Sequence, residues 1–363
     1  MDFAFSESQL HWKNAAAKFV NGCAPPPPDG TSGDSWLRHA VSDSLDAGLF
    51  DCALAVESDD AGSDLLALCL VAGELVRLDT GFCMAFLNRS LCYRFGSLLL
   101  SESARGPFSS MLRDMPTPIA AVPIWPGLGS AVMLEGPKVR IDEVVSLAQP
   151  DTNICLGWAP DPGSEACGTI VFTSSGNPLA KSVEPAIVDG FHTLPLNRLT
   201  GLFDHNQGDT QIFPLETLKF KQRLATAGAE RALLFAAVGI GLAQASLDYA
   251  LDYSRGRVSF DKPLCQHQAV ALRLADMAIR IESARLLLWA ACSRGPLNPP
   301  DPKEAAQCEN FCARVAADAA SWACQLLGGH GFLTDHPVAS WLREIHIVHL
   351  LSGNAAERET DLS

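Results

Sequence analysis

The chain has 363 residues, of which 48% are hydrophobic and 19% charged, and its formal net charge is −14. This length suits two or three packed units with sizeable cores, and the composition excludes a disordered protein. The acidic balance excludes the basic face that nucleic-acid binding requires. We therefore expect a folded globular protein without a nucleic-acid partner.

The 12 cysteines are scattered without CxxC pairs, which predicts reduced core residues rather than a disulfide framework. Cys308 and Cys312 have the spacing of one helix face, but no second ligand pair follows them, so no metal site is predicted. The start MDFAFSESQLHWKN carries acids where a signal peptide is basic, and the longest apolar run, 232–247, falls short of the ~18 residues of a membrane span. These features predict a cytoplasmic protein without a membrane partner.

The first hundred residues predict packed helices. Ser6 and Gln9 have the spacing of a capping box, which predicts a helix that begins near residue 7. The run CAPPPPDGTSGDS, residues 23–35, ends that helix because consecutive prolines remove backbone donors. From residue 36 to about 113 apolar residues recur at intervals of three and four. We predict an N-terminal helical domain over residues 1–113.

The pattern then changes twice. Short β-rich runs such as GTIVFTS and TQIFPLETLKF, bounded by Gly, Pro and Asp, predict a middle β domain over residues 114–216. Helical periodicity returns over about 228–254, 266–293, 302–327 and 337–351, which predicts a C-terminal four-helix bundle within residues 217–363. The fold class predicted is therefore α+β, with helical, β and helical domains in that order.

Two stretches carry candidate chemistry. The first, YSRGRVSFDKPLCQHQ from Tyr253, places Arg257 where a guanidinium can grip a phosphate, with Phe260 as a flat surface and Gln268 as a donor. The second, QLLGGHGF from Gln325, has glycines that permit positive φ and a close approach of the backbone to a ligand. Each stretch alone also fits a plain structural role, as a surface arginine before a capped helix or as a glycine C-cap.

Together the two stretches resemble the acyl-CoA dehydrogenase family in order, type and spacing. RVSFDKPLCQHQ is similar to the family run R-x-[QT]-F-G-K-P-L…HQ, and QLLGGHGF…HPVASWLRE resembles QxxGGxGY…PVxRxxRD. The resemblance is strong over residues 217–354. It implies a protomer that oligomerises, binds FAD across a protomer interface and oxidises the Cα–Cβ bond of an acyl-CoA thioester. A base removes the α-proton while flavin N5 accepts the β-hydride.

The resemblance also implies which residues bind the cofactor. Those matching family positions on the pyrophosphate and adenine side of FAD are Arg257, Ser259, Phe260, Leu264, His267 and Gln268. A further matching set is Gln325, Gly328 and Gly329. In the family, both sets reach a flavin that is bound mainly by the neighbouring protomer.

The flavin seat departs from the family pattern. The family carries a TEPxxGSD loop and a W-[IV]-[TS] strand, whereas this chain reads VPIWPGLGSAVMLEGPKVRIDEV. Only Gly129 and Ser130 resemble the loop, and Arg140 and Asp142 stand where the Trp and Thr are expected. Two charges in place of an apolar wall need partners in a desolvated pocket. We therefore do not expect a standard flavin seat in this chain.

The residue at the position of the catalytic base also differs from the family pattern. Counted from Arg343, Ser352 occupies the position of the family's catalytic glutamate, and the loss of a positioned base costs ~10² to 10⁴ in rate. Glu230 resembles a base that some members carry on the preceding helix, but it is one residue out of phase, which is ~100° around a helix. The alternative is that Glu230 is a solvated acid at a helix start. His346 and His349 are expected to be packing or surface residues rather than metal ligands.

These departures leave three hypotheses. The leading one is a non-catalytic subunit that completes the FAD sites of a paralogous acyl-CoA dehydrogenase partner, as in heteromeric bacterial enzymes for bulky, sterol-like CoA esters. The second is a self-sufficient homo-oligomeric acyl-CoA dehydrogenase that uses Glu230 or another base. The third is a binding or scaffold protein without FAD.

Overall fold

The computed structural model describes residues 4–27, 33–54, 65–114, 119–120, 132–135, 138–147, 153–155, 157–160, 168–173, 183–185, 191, 193–194, 196–204, 210–214, 220–293 and 299–352. The chain forms two compact units that interleave along the sequence. Unit 1 comprises Met1–Val20, Asp64–Arg77 and Gly228–Ser363, and unit 2 comprises Asn21–Ser63 and Leu78–Ala227. The three-domain division of the sequence stays a prediction.

The helices follow the apolar periodicity of the sequence. They are α1 (Glu7–Gly22), α2 (Gly33–Asp46), α3 (Asp51–Leu54), α4 (Leu65–Leu75), α5 (Thr80–Leu99), α6 (Glu102–Asp114), α7 (Phe220–Gly256), α8 (Gln268–Cys292), α9 (Pro302–Leu327) and α10 (Val338–Leu351). The four predicted C-terminal helices are confirmed. The main difference is α7, which begins at Phe220 rather than near residue 228.

Local chemistry sets several helix ends. The predicted capping box is confirmed, because Ser6 N–H donates to Gln9 Oε1 at 2.9 Å and Gln9 N–H donates to Ser6 Oγ at 3.2 Å. Helix α9 begins at Pro302, where the carboxylate of the preceding Asp301 accepts from the backbone N–H groups of Lys303 and Glu304. It ends at Gly328, whose φ of +59° suits a residue without a side chain.

The predicted β segment contains the strands β1 (Ile119–Ala120), β2 (Val132–Glu135), β3 (Lys138–Leu147), β4 (Asn153–Cys155), β5 (Gly157–Pro160), β6 (Gly168–Thr173), β7 (Val183–Pro185), β8 (Leu196–Asp204) and β9 (Thr210–Pro214). One antiparallel sheet has the order β2-β3-β8-β7, and another has the order β5-β6-β9. Strands β1 and β4 pair in parallel. All of these strands belong to unit 2.

Helix α7 is a core element. By length and composition Gln222–Gly256 could cross a membrane, but 83% of its most apolar window is buried inside the protein. Such burial is typical of the central helix of a soluble protein. The expectation that the apolar run is too short for a span is therefore corrected, because the folded helix is longer than the run. Burial explains its apolar character instead.

In unit 1, α4 and α7 approach each other closely at Gly241. A Cβ atom there would lie 2.3 Å from Val76 Cγ1 and 2.8 Å from the carbonyl oxygen of Gly73. Real Cβ atoms do not tolerate such distances. Glycine at this position therefore permits the two helices to pack.

Unit 2 buries polar groups that are paired. Asp79 caps α5 by accepting from Phe82 N–H at 2.7 Å and from the Thr193 hydroxyl. Arg89 is buried and donates to the Leu112 carbonyl at 2.6 Å. Burial lowers the pKa of the Arg89 guanidinium to about 10.

Candidate functional site

The Arg257 stretch folds as a tight hairpin at the end of α7. Strands β10 (Val258–Ser259) and β11 (Lys262–Pro263) pair in antiparallel orientation around Phe260 and Asp261. Both turn residues have positive φ, +49° and +62°, which is the pattern of a type I′ hairpin turn. The turn presents the Phe260 ring, 91% exposed, at its tip. Arg257 is exposed beside it.

Two contacts fix this hairpin against the start of α8. His267 Nε2 donates to the Ser259 carbonyl at 2.9 Å, and Leu264 N–H donates to the Arg257 carbonyl at 2.8 Å. Gln268, the first residue of α8, is exposed. The six residues that the resemblance assigns to the cofactor tail therefore form one continuous structure.

The second set lies at the end of α9. Gln325 is exposed in its last turn, and Cβ atoms at Gly328 and Gly329 would meet no other atom within 4 Å. These two glycines face open space, where a ligand can approach the backbone. Gly331 differs, because a Cβ there would lie 2.5 Å from the Cys324 carbonyl oxygen. Gly331 is therefore needed for packing.

The structure brings the two sets together through tyrosines and histidines. The Tyr253 hydroxyl and His330 Nδ1 are hydrogen-bonded at 2.9 Å, and the Tyr249 hydroxyl and His336 Nδ1 at 2.7 Å. The rings of His330 and His336 stack with their centroids 5.8 Å apart. The backbone carbonyl of Tyr253 also accepts a hydrogen bond from the backbone N–H of Arg257 at 2.9 Å. This cluster, absent from the sequence-based prediction, joins the last turns of α7 to the 3₁₀ helix Gly328–Phe332.

The donor set fits the nucleotide half of FAD. An exposed guanidinium and exposed amides suit a pyrophosphate, and an exposed phenyl ring suits a planar base. When bound, FAD would supply the ring that accepts the hydride. For the flavin end, Gly129 and Ser130 lie outside the described residues. Arg140 and Asp142 lie within β3, and only their backbone is described.

Ser352 ends α10 and is fully buried, with 0% of its surface exposed. Its hydroxyl donates to Glu309 Oε1 at 2.5 Å and lies 2.7 Å from the His349 carbonyl oxygen. The Arg231 guanidinium, from α7, donates to the carbonyls of Leu351 and Ser352. The residue that the resemblance aligns with the family's base is therefore held inside unit 1 by both its side chain and its backbone.

Glu309 on α9 is the partner that sequence reasoning missed. It is 2% exposed, and its Oε1 also accepts from His349 Nδ1 at 3.0 Å. Its Oε2 is buried and has no hydrogen-bond partner among the described residues. The hydrogen bond to Glu309 raises the pKa of His349, although burial acts in the opposite direction. A signal was present, because Glu309 shares a helical face with Ala305, Cys312 and Ala316, all buried.

The interpretation of Glu230 as a solvated acid at a helix start is wrong. Because α7 begins at Phe220, Glu230 lies well inside the helix, where the dipole of the first turn no longer acts. Its side chain is 7% exposed and therefore buried. Glu230 and Arg231 are consecutive buried charged residues on α7.

The two histidines of α10 differ in burial, and the described cysteine side chains are unpaired by disulfides. His346 is exposed, whereas His349 is half-buried against Glu309. The ten cysteines whose side chains the structure describes are free thiols. Cys308 and Cys312 lie one turn apart with their Sγ atoms separated by 3.9 Å.

Comparison with solved structures identifies the fold. Butyryl-CoA dehydrogenase from Megasphaera elsdenii superposes with a TM-score of 0.80 at 22% identity, covering 99% of this chain and 98% of that one. A glutaryl-coenzyme A dehydrogenase superposes with a TM-score of 0.77 at 21% identity, covering 98% and 94% of the two chains. The chain therefore has the acyl-CoA dehydrogenase fold, and the predicted fold class is confirmed at that level.

Comparison of sequences finds relatives of the C-terminal segment. Residues 220–358 match the family model of the acyl-CoA dehydrogenase C-terminal domain. An acyl-CoA dehydrogenase of Bacillus subtilis is 36% identical over 118 residues, 32% of this chain and 31% of that protein. The probable acyl-CoA dehydrogenase FadE25 of Mycobacterium tuberculosis is 36% identical over 137 residues, 37% and 34% of the two chains. The matched segment thus spans about a third of these relatives, and it is similar to the C-terminal domain of acyl-CoA dehydrogenases.

Proposed function

We propose that this chain is the non-catalytic subunit of a hetero-oligomeric, FAD-dependent acyl-CoA dehydrogenase. One contrast carries the proposal. The residues suited to the cofactor tail are exposed, with Phe260 at 91%, whereas Ser352, at the position of the base, is fully buried and bonded to Glu309. The chain can therefore bind the nucleotide part of a cofactor held by a neighbouring subunit, but it has no catalytic base at residue 352.

The chemistry divides between two subunits. This chain holds the pyrophosphate and adenine of FAD through the Arg257 hairpin and the Gln325 turn. A paralogous partner supplies the flavin seat and the carboxylate that removes the α-proton of the CoA thioester. A bulky, sterol-like acyl group, a heterotetramer and a cytoplasmic location are parts of the same proposal, and they rest on analogy with heteromeric enzymes.

Purification with and without a partner tests this function. The partner is a relative that carries the TEPxxGSD loop and the catalytic glutamate, co-expressed with this chain. We expect colourless protein from this chain alone and a yellow, active complex after co-expression. Yellow and active protein from the lone chain would contradict the proposal.

The Arg257 hairpin can be tested in the same complex. Arg257→Ala is expected to lower the flavin content of the complex, because it removes the guanidinium assigned to the pyrophosphate. Arg255→Ala is the matched control, since Arg255 is exposed two residues away and pairs with Asp252 at 3.3 Å. Unchanged flavin content in Arg257→Ala would instead favour a scaffold protein without FAD.

A second candidate function is a self-sufficient enzyme with Glu230 as the base. The observation in its favour is that Glu230 is a buried carboxylate on α7 rather than a solvated one. This candidate predicts acyl-CoA oxidation by the lone chain that Glu230→Gln abolishes. This candidate would be excluded if turnover survives Glu230→Gln or if the lone chain shows no turnover.

A further inference from the structure

The buried end of α10 shows why residue 352 cannot simply regain a carboxylate. The Ser352 hydroxyl lies 2.5 Å from Glu309 Oε1, and both side chains are shielded from water. We propose that Glu309 is a positioning residue that holds residue 352 inside unit 1 and excludes a second carboxylate from that position. This inference rests on the proposed function, in which residue 352 stands where the base is expected.

Electrostatics makes the exclusion strong. Two carboxylates within hydrogen-bond distance in a desolvated site cannot both stay ionised at low cost. Ser352 avoids this conflict because its hydroxyl donates a hydrogen bond to Glu309. A glutamate at the same place would remove that donor and add a like charge. Glu309 Oε2 has no donor among the described residues that would offset the added charge.

His349 strengthens the arrangement from the same helix. Its Nδ1 donates to the oxygen that accepts from Ser352, and this hydrogen bond raises the pKa of the imidazole. Other ionisable groups close to Glu309 are Cys308 and Cys312 on α9, with Cys69 of α4 beside Cys312. Arg231 of α7 is also near this group, because its guanidinium donates a hydrogen bond to the Ser352 carbonyl. Glu309 is thus the side chain that joins the end of α10 to α9.

A carboxylate at residue 352 requires a second change nearby. Ser352→Glu alone introduces the residue type of a base into a site that already holds a buried carboxylate. The change becomes tolerable only when the charge of Glu309 is removed as well. With Glu309 in place, restoring a carboxylate at residue 352 therefore requires two substitutions rather than one.

Four variants separate charge from size, because glutamine has the size of glutamate without its charge. They are Ser352→Gln and Ser352→Glu, each made in the full chain with Glu309 and in the full chain with Glu309→Gln. The measurement is the thermal unfolding midpoint, Tm, at pH 7. We expect Ser352→Glu to unfold several degrees below Ser352→Gln when Glu309 is present. The gap should close in the Glu309→Gln background. An equal gap in both backgrounds, or no gap at all, would overturn the proposal.

A second measurement does not require a larger side chain at residue 352. A raised His349 pKa stabilises the folded state below about pH 6.5, and this contribution is lost as the pH rises through the raised value. Between pH 6 and pH 9 the wild-type Tm should therefore fall by more than that of Glu309→Gln or His349→Gln. The matched control is Glu304→Gln, an exposed glutamate on the same helix. It should keep the wild-type pH profile.

The pH profile also decides the outcome when large side chains at residue 352 prevent folding. A profile that Glu309→Gln and His349→Gln leave unchanged would refute the positioning role. If Glu309→Gln itself does not fold, the His349→Gln profile decides in the same way. Neither measurement uses flavin or turnover, so failure here is distinct from failure of the proposed subunit role.

Discussion

Replacing Gly241 by alanine tests how α4 and α7 pack in unit 1. The added Cβ would lie 2.3 Å from Val76 Cγ1 and 2.8 Å from the Gly73 carbonyl oxygen. The side chain of Val76 can shift, but the backbone of Gly73 cannot move without displacing α4. Overpacking of this kind costs about 1–3 kcal/mol, and removal of a helical glycine returns about 0.5–1 kcal/mol. We expect a net destabilisation of about 1–2 kcal/mol.

Gly239→Ala is the matched control, because it lies two residues earlier in the same helix. Its Cβ would lie 3.7 Å from the Ala316 Cβ, which is an ordinary contact. Only the gain from removing a helical glycine then remains, about 0.5–1 kcal/mol. The assay is thermal unfolding followed by far-ultraviolet circular dichroism, with both variants and the wild type in one buffer. Tm should be highest for Gly239→Ala, intermediate for the wild type and lowest for Gly241→Ala. Equal Tm values for the two variants would refute the close approach of α4 and α7.

Three further predictions concern single hydrogen-bonded groups, each checked by the free energy of unfolding in urea. Asp79→Ala should cost about 0.5–2 kcal/mol because it uncaps α5, whereas Asp79→Asn should recover most of that loss. Tyr253→Phe should cost about 0.5–1.5 kcal/mol by removing the bond to His330, and no loss would show that the bond does not form. Arg231→Met should cost more than Tyr253→Phe, because charge-assisted hydrogen bonds contribute about 1.5–3 kcal/mol. The opposite order would contradict the role of Arg231 at the end of α10.

The sequence was most informative where local chemistry decides the structure. The capping box of Ser6 and Gln9 involves residues three positions apart, so spacing alone identifies it. The Arg257 stretch likewise folds through local pairing of its own residues, and its role in cofactor binding stays a prediction.

Long-range contacts set the features that the sequence did not predict. Glu309 and Ser352 are 43 positions apart, and only the packing of α9 against α10 brings their side chains together. The bond between Tyr253 and His330 likewise joins residues 77 positions apart. The start of α7 was placed too late because residues 220–227 are less apolar than the run that follows. That error made a buried Glu230 resemble a solvated one.

The most direct test of the subunit role is the flavin stoichiometry of the co-expressed complex, measured by native mass spectrometry alongside the flavin absorbance. If this chain completes sites whose flavin seat belongs to its partner, the complex will carry one FAD per pair of unlike chains, and this chain alone will carry none. Two FAD molecules per unlike pair, or one FAD per chain in the lone protein, would contradict that role.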